Sequence, residues 1–409
     1  MKVVHVIHRF PPFYMAGSEI YTYNLTEELS KYIDVYVFTR YENPFEPPYS
    51  YIDEVFGKVK VRRINRPFRE YTFRDKYIDI NVERLFREYM DQVKPDIVHI
   101  QHLSHLSTNI IDLVKDEYGI PILFTLHDFW MLCFRGQLTD PLFNRCTGPS
   151  PERCLRCARF FFKNTVDIVD IDYYRRHMNR ILGRVDLFLS PSKFLMNMFI
   201  RHGIPKNKIV YSRYGFRKDL IKYKDRKHSS GSIIRFGFIG RIVPTKGVHI
   251  LLKAFNRMRN KNARLLVFGY YGNLLSYLKR YANERVYFMG GFHNREIDKI
   301  LDQIDVLVVP SIWYENSPLV IQEAFLAGIP VIASNIGGMA ELVKDRINGF
   351  TFKVGDIDDL AEKMDYIADN PEILNDIRPS RDSVRSIEDD AKSTLEIYRK
   401  LVGDTNASV

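Results

Sequence analysis

Apolar positions recur along this chain in two alternating registers. Short β-branched runs fall at 3–7, 33–39, 59–64, 97–101, 122–126, 187–190 and 209–212. Between them, at 18–32, 80–92, 107–118 and 193–203, the apolar positions are spaced three or four apart. The runs read as strands and the longer periodic stretches as helices, which predicts βα units and a parallel sheet. The pattern breaks at 217–232 (RKDLIKYKDRKHSSGS), whose charge, Ser and Gly mark a linker. Beyond it the alternation restarts, with strands at 233–239, 265–268, 286–289, 306–309 and 331–333. Helical patterns at 248–258, 274–281, 295–301 and 318–327 separate them. Ile387, Ala391, Leu395 and Tyr398 carry helical spacing and predict a last helix over 386–401. The expected fold is α/β, two Rossmann-like doubly wound parallel-sheet domains, 1–216 and 233–380, with a central cleft between the carboxyl ends of their strands.

Composition narrows the partners. The chain of 409 residues is 45% hydrophobic and 27% charged, ordinary for a globular protein. Sixty Lys and Arg against 50 Asp and Glu give a formal charge of +10, which favours anionic partners without choosing among phosphates, nucleic acid and acidic membranes. No nucleic-acid recognition module is visible, so no nucleic-acid partner is expected. Met1-Lys2 runs straight into a strand-like segment with no signal-peptide pattern, and no apolar run reaches the ~18–20 residues of a membrane span. The expected location is cytoplasmic, at most peripheral on the inner face of a membrane. Segments 58–76 and 153–163 mix cations with aromatics. They read either as solvated basic faces or as surfaces for an anionic membrane carrying a lipid-linked acceptor.

Cys133, Cys146, Cys154 and Cys157 share one 25-residue window with the spacing C-x12-C-x7-C-x2-C. Such a cluster is compatible with structural zinc or iron–sulfur, with two disulfides, or with reduced thiols, and the sequence leaves these open.

Candidate chemistry concentrates in the second half. In Trp313–Gly328, Asn316-Ser317-Pro318 reads as a helix start, with Asn or Ser capping and Pro at the first helical position. The mouth of such a helix, formed here by Ser317, Pro318, Leu319 and Val320, offers free amides that suit a phosphate. Glu323 lies one turn further in on the face of Leu319, placed to accept hydrogen bonds from a ribose diol. Glu315 precedes the helix, where a sugar hydroxyl or developing positive charge could sit; the bland alternative is a solvent-facing Glu323 and a surface ion pair. In Phe238–Gly247, Gly240 closes a strand, and Arg241 and Lys246 follow on a loop able to clamp a diphosphate. It is no Walker loop, and no G-x-G-x-x-G follows the first strand, which argues against a nicotinamide or flavin enzyme. In the first half, Gly17-Ser18 before a helix is a weaker anion nest. His127, in Thr125-Leu-His-Asp128, closes a strand, and His99, His102 and His105 read as ordinary lining.

Together these residues resemble the family 4 glycosyltransferases, retaining GT-B enzymes that use nucleotide-sugar donors. The resemblance rests on G-R-x4-K-G at 240–247, Asp305-Val-Leu-Val-Val-Pro-Ser311, the E-x7-E of Glu315 and Glu323, Gly337-Gly338-x-x-Glu341 and Asn348-Gly349-Phe350. It is looser in the first domain. It implies that Arg241 and Lys246 hold a donor diphosphate, Glu323 the ribose and Glu315 the transferred sugar. It also implies that Gly17 meets a phosphate, His127 the donor sugar, and Gly290 and Phe292 the base. Residues 381–409 would hold a crossover helix returning to the first domain. No catalytic metal or other cofactor is expected, the donor being UDP- or GDP-sugar and the acceptor a glycan or lipid-linked glycan. Departures are Ala16, where the family often has glycine, Tyr214-Gly215 in place of Asn-Gly, and Asn316-Ser317 after Glu315. Rival readings are a non-catalytic nucleotide-sugar-binding subunit and an epimerase or phosphorylase on the same scaffold.

Overall fold

The computed structural model describes residues 1–66 and 71–403. Residues 67–70 of the basic segment 58–76 and the tail from 404 lie outside the described residues. The chain divides into two compact units. One contains Met1–Pro141, Cys146–Phe216 and the residues from Ser386 onward; the other contains Leu142–Arg145 and Arg217–Arg385.

In the first unit the strands are β1 (Lys2–Val6), β2 (Asp34–Tyr41), β3 (Tyr51–Phe56), β4 (Val59–Asn65), β5 (Ile97–Ile100), β6 (Ile122–Thr125), β7 (Leu187–Ser190) and β8 (Ile209–Tyr211). Its helices are α1 (Gly17–Leu29), α2 (Ile80–Val93), α3 (Ile110–Leu113), α4 (Pro151–Phe161), α5 (Ile168–Arg184) and α6 (Lys193–Arg201). The sheet order is β3-β4-β2-β1-β5-β6-β7-β8, parallel except where β3 returns antiparallel on β4. That hairpin has an electrostatic cause. Arg62 and Arg63 of β4 are buried, and Arg62 holds Asp53 of β3 through two bonds of 2.7 and 2.6 Å. Arg63 pairs with Glu54 and donates to the Phe10 carbonyl at 3.1 Å.

The second unit carries β9 (Ile234–Ile239), β10 (Ala263–Phe268), β11 (Val286–Gly290), β12 (Val306–Val309), β13 (Val331–Ser334) and β14 (Gly349–Phe352). Among them run α7 (Val248–Arg257), α8 (Leu275–Lys279), α9 (Ile297–Leu301), α10 (Leu319–Leu326), α11 (Gly337–Leu342) and α12 (Ile357–Asp369). The all-parallel order β11-β10-β9-β12-β13-β14 reverses direction between β9 and β12. Such a reversal opens a crevice at the carboxyl ends of the two strands, where sheets of this kind bind ligands. Residues 217–232 group with this unit, and Arg226 donates to the Leu301 carbonyl at 3.0 Å.

The last helix, α13 (Ile387–Val402), belongs to the first unit and packs against α1. Asp390 is fully buried there, accepting from Tyr21 Oη at 3.0 Å and the Gly215 amide at 2.8 Å. A Cβ on Gly215 would stand 2.5 Å from the Ser386 carbonyl, so this crossing needs glycine. No helix among the described residues is long and apolar enough to cross a membrane.

Candidate active site

Both loops at the second unit's reversal point carry predicted residues. After β9, Gly240 (φ +149°) leads into Arg241, which is exposed, and a short 3-10 turn, Pro244–Lys246. Gly247 (φ +73°) then opens α7, where a Cβ would lie 1.9 Å from the Pro310 carbonyl. After β12, the chain turns back on that loop, and the Ile312 amide donates to Thr245 O at 2.9 Å. The two loops are thereby stapled, and Lys246 meets Glu315. Lys246 Nζ, Ser311 Oγ and Trp313 Nε1 all donate to Glu315 Oε1, at 2.6, 2.8 and 2.8 Å. Glu315 is only 5% exposed, so this is a largely desolvated, charge-assisted cluster. The sequence reading gave Lys246 and Glu315 separate ligand contacts; the structure pairs them, and it adds Ser311 and Trp313 as fixers of the carboxylate. A Trp two residues before the acid was the available signal.

The helix start departs from expectation. Pro318 is the N-cap and Leu319 the first helical residue of α10, and no side chain caps the helix. Asn316 and Ser317 are instead buried in the preceding loop. Pro318 itself keeps an extended backbone (φ −60°, ψ 116°), so the helix begins one residue later than expected. The uncapped amides of Leu319 and Val320 sit at the mouth. Against this loop packs α11: the Gly338 amide donates to Glu315 O at 2.8 Å, and a Cβ on Gly338 would stand 1.4 Å from Asn316 O. Gly338→Ala is therefore expected to cost about 3 kcal/mol or more through backbone displacement, read as a lowered Tm.

Glu323 lies one turn into α10, partly covered, and no described residue pairs with its carboxylate. Burial alone pushes its pKa up from 4.5 to about 7. Gly290 (φ +86°) ends β11, its carbonyl accepting from the Gly269 amide at 2.8 Å, and Phe292 follows in the next loop.

In the first unit, Gly17 is exposed at the start of α1, behind an Ala16 N-cap that supplies no side-chain bond. His127 follows β6 with both ring nitrogens engaged, Nδ1 with Tyr214 Oη at 2.6 Å and Nε2 with Gln101 Oε1 at 2.8 Å. Burial lowers its pKa to about 3, so it is neutral. Tyr214 is the residue that departs from the family's Asn, and it takes up His127 Nδ1. His99 is not ordinary lining. It is fully buried in the sheet, 2.6 Å from Tyr398 Oη of α13 and 2.8 Å from Thr125 Oγ1.

Of the three states open to the cysteine cluster, the structure carries the thiol form. Cys133, Cys146, Cys154 and Cys157 are free thiols. Among the described residues no group of three or more His, Cys, Asp or Glu is placed to hold a metal ion. Burial raises the thiols of Cys133, Cys154 and Cys157, the last to about 11. Cys146 Sγ donates to the Gly148 carbonyl at 3.2 Å.

Comparison with known proteins defines the class. The profile of Glycosyltransferase Family 4 matches residues 15–213, and that of Glycosyl transferases group 1 matches residues 222–381. The chain belongs to the GT4-type glycosyltransferases of the GT-B fold. It is 25% identical over 228 residues to a putative colanic acid biosynthesis glycosyltransferase, WcaL, of Escherichia coli, covering 52% of this chain and 56% of that protein. The chain spans about half the length of such curated relatives. Sucrose-phosphate synthase from Thermosynechococcus elongatus superposes with a TM-score of 0.76 at 18% identity, over 99% of this chain and 100% of that one. Anabaena HepE, solved with UDP and glucose, superposes at 0.69 and 17% identity, over 98% and 100%. These structural likenesses show the fold alone.

Proposed function

We propose that this protein is a retaining hexosyltransferase that moves a sugar from a UDP- or GDP-sugar to a glycan or lipid-linked acceptor. The observation that carries the reading is the reversal-point cluster of the second unit. It holds a fixed Lys246–Glu315 pair, an uncapped helix mouth and, one turn inside, Glu323, whose carboxylate has no partner among the described residues. Arg241, Lys246 and the amides at Leu319 and Val320 take the departing diphosphate, stabilising negative charge as it forms. Glu323 accepts the ribose hydroxyls. Glu315 faces the transferred sugar, with its Oε1 held by three donors. Gly290 and Phe292 flank the base, and residues 1–216 are the acceptor-side domain.

Transfer breaks the bond between the anomeric carbon and the diphosphate oxygen and forms one from that carbon to an acceptor hydroxyl oxygen. The hydroxyl proton passes to the departing phosphate, so attack from the leaving-group face retains configuration without a protein nucleophile. Relatives support the substrate class. HepE was solved with UDP and with UDP-glucose, and WcaL is named for colanic acid biosynthesis. A galactosyltransferase named for a diphosphoundecaprenol-linked acceptor is 41% identical over 85 residues. A thermal-shift screen across UDP-, GDP- and ADP-sugars tests the proposal. One donor is expected to raise the Tm by several degrees, as a ligand at about 100 times its Kd adds about 2.7 kcal/mol. No shift with any donor overturns the reading.

A further inference from the structure

Residues 127–150, between β6 and α4, form no helix and no strand. An irregular run of that length is uncommon inside a compact unit unless something pins it. The backbone bonds that shape it run within the segment itself. The Phe129 amide donates to Gly136 O at 3.1 Å, the Gly136 amide to Cys133 O at 2.7 Å and the Cys146 amide to Leu138 O at 2.7 Å. Leu138 is fully buried at φ +48°, in the left-handed region that a leucine enters only under constraint. All four cysteines lie in this segment or on α4.

Contacts with α4 set which thiols face each other. The Phe134 ring lies 6.4 Å from that of Phe161 and 6.2 Å from that of Phe162, and the Arg135 guanidinium covers the Phe161 ring at 4.4 Å. Cys133 immediately precedes these two residues, and Cys157 lies four before Phe161, on the same face of α4. The start of the helix is tied elsewhere. Arg153, next to Cys154, donates to Gly148 O at 3.2 Å and to Oγ1 of Thr147, next to Cys146, at 3.1 Å. The segment therefore runs along α4 with Cys133 toward Cys157 and Cys146 toward Cys154. Every pair among the four thiols is near enough to interact electrostatically, and Cys133 is the thiol that weighs most on both Cys154 and Cys157. Of those two, Cys157 shares the face that packs on the turn after Cys133. All four side chains are partly exposed, so a small oxidant reaches them.

We propose that Cys133 and Cys157 form a disulfide that staples this segment to α4, the thiol form being the reduced half of a redox pair. The oxidant is a low-molecular-weight disulfide. One cysteine thiolate attacks it, forming a mixed disulfide and expelling one small thiolate. The second cysteine then displaces the other, so one S–S bond forms in the protein while one is cleaved in the oxidant, and the two protein protons end on the small thiols. Burial raises both protein thiols, making them slow nucleophiles and poor leaving groups. The staple forms slowly and is slow to be reduced, a lasting clamp and not a fast sensor. It stands independently of the transferase reading. Trypsin separates the four cysteines onto peptides 116–135, 146–153, 154–156 and 157–159, so mass reads the pairing directly. The full chain, held with oxidised glutathione at about pH 9 to offset the slow attack and quenched with N-ethylmaleimide, is expected to yield 116–135 joined to 157–159. The Tm is expected to rise by several degrees with the link and to fall back under dithiothreitol, because the bond closes a loop of about 25 residues. Cys157→Ser is expected to abolish the link and the Tm shift, and Cys154→Ser to leave both; should either variant fail to fold, the wild-type peptide map decides alone. Four alkylated thiols after prolonged oxidation, or a map dominated by another pairing, overturns the disulfide. So does tightly held zinc that blocks the link until it is chelated, and a link that leaves the Tm unchanged overturns its role as a staple.

Discussion

Lys246→Ala is expected to lower turnover with the identified donor by more than about 100-fold, the effect of losing one preorganised transition-state donor. The size follows from how firmly the ammonium is held. Glu315 Oε1 fixes it at 2.6 Å, and the Trp313 ring lies 5.8 Å away. A cation locked in this way needs no reorganisation as charge develops on the departing diphosphate. The loss is expected mainly in kcat, with a smaller change in KM, because the charge it meets is greatest in the transition state. Removing it also leaves Glu315 with only the Ser311 hydroxyl and the Trp313 indole, so a modest fall in Tm accompanies the kinetic loss. Steady-state rates for purified wild-type and variant protein check this, and equal turnover removes the β9 and β12 loops as the reacting centre.

The second large effect concerns Glu323 and pH. Its carboxyl holds a proton up to about pH 7 in the free protein. A ribose diol is best accepted by the carboxylate, so below that pH a ligand must first expel the proton. Donor affinity is expected to strengthen about tenfold between pH 6 and pH 8. Glu323→Gln should flatten this dependence and Glu323→Ala should impair donor binding at every pH; calorimetric titration of both variants decides it. Stability runs the other way. Because the folded pKa is raised, the native state binds the proton more tightly than the unfolded chain. Stability attributable to this group therefore falls as pH rises from 4.5 to about 7 and is level above that. Glu323→Gln is expected to raise the Tm at pH 8, and a pH-independent affinity in the wild type would exclude Glu323 from the diol.

Much of this arrangement was legible before the structure, and the misses have physical causes. Parallel strands buried on both faces announce themselves as β-branched runs, so the β9–β13 order of elements was readable. The edge strand β3 (YIDEVF) was not, because its charges are neutralised by arginines nine residues away in sequence, across a turn. α5 was hidden by its polar composition, IVDIDYYRRHMNRILGR, with only six buried positions. Glu323 was recognised as an anomaly because a charge stood in an apolar helix, and it has no partner among the described residues. The Lys246–Glu315 contact spans 69 residues, and no local pattern encodes it.

Tyr398 has a consequence for how the chain is made. The buried imidazoles of His5 and His99 both reach its hydroxyl, at 3.1 and 2.6 Å. Strands β1 and β5 leave the ribosome 393 and 299 residues ahead of this partner in α13. Residues 217–385 emerge as an uninterrupted stretch and hold nearly all of the second unit. Assembly during synthesis thus runs against the usual N-terminal-first order. The second unit can close while the first still waits, with His5 Nε2 and His99 Nδ1 unmet, for α13 to arrive.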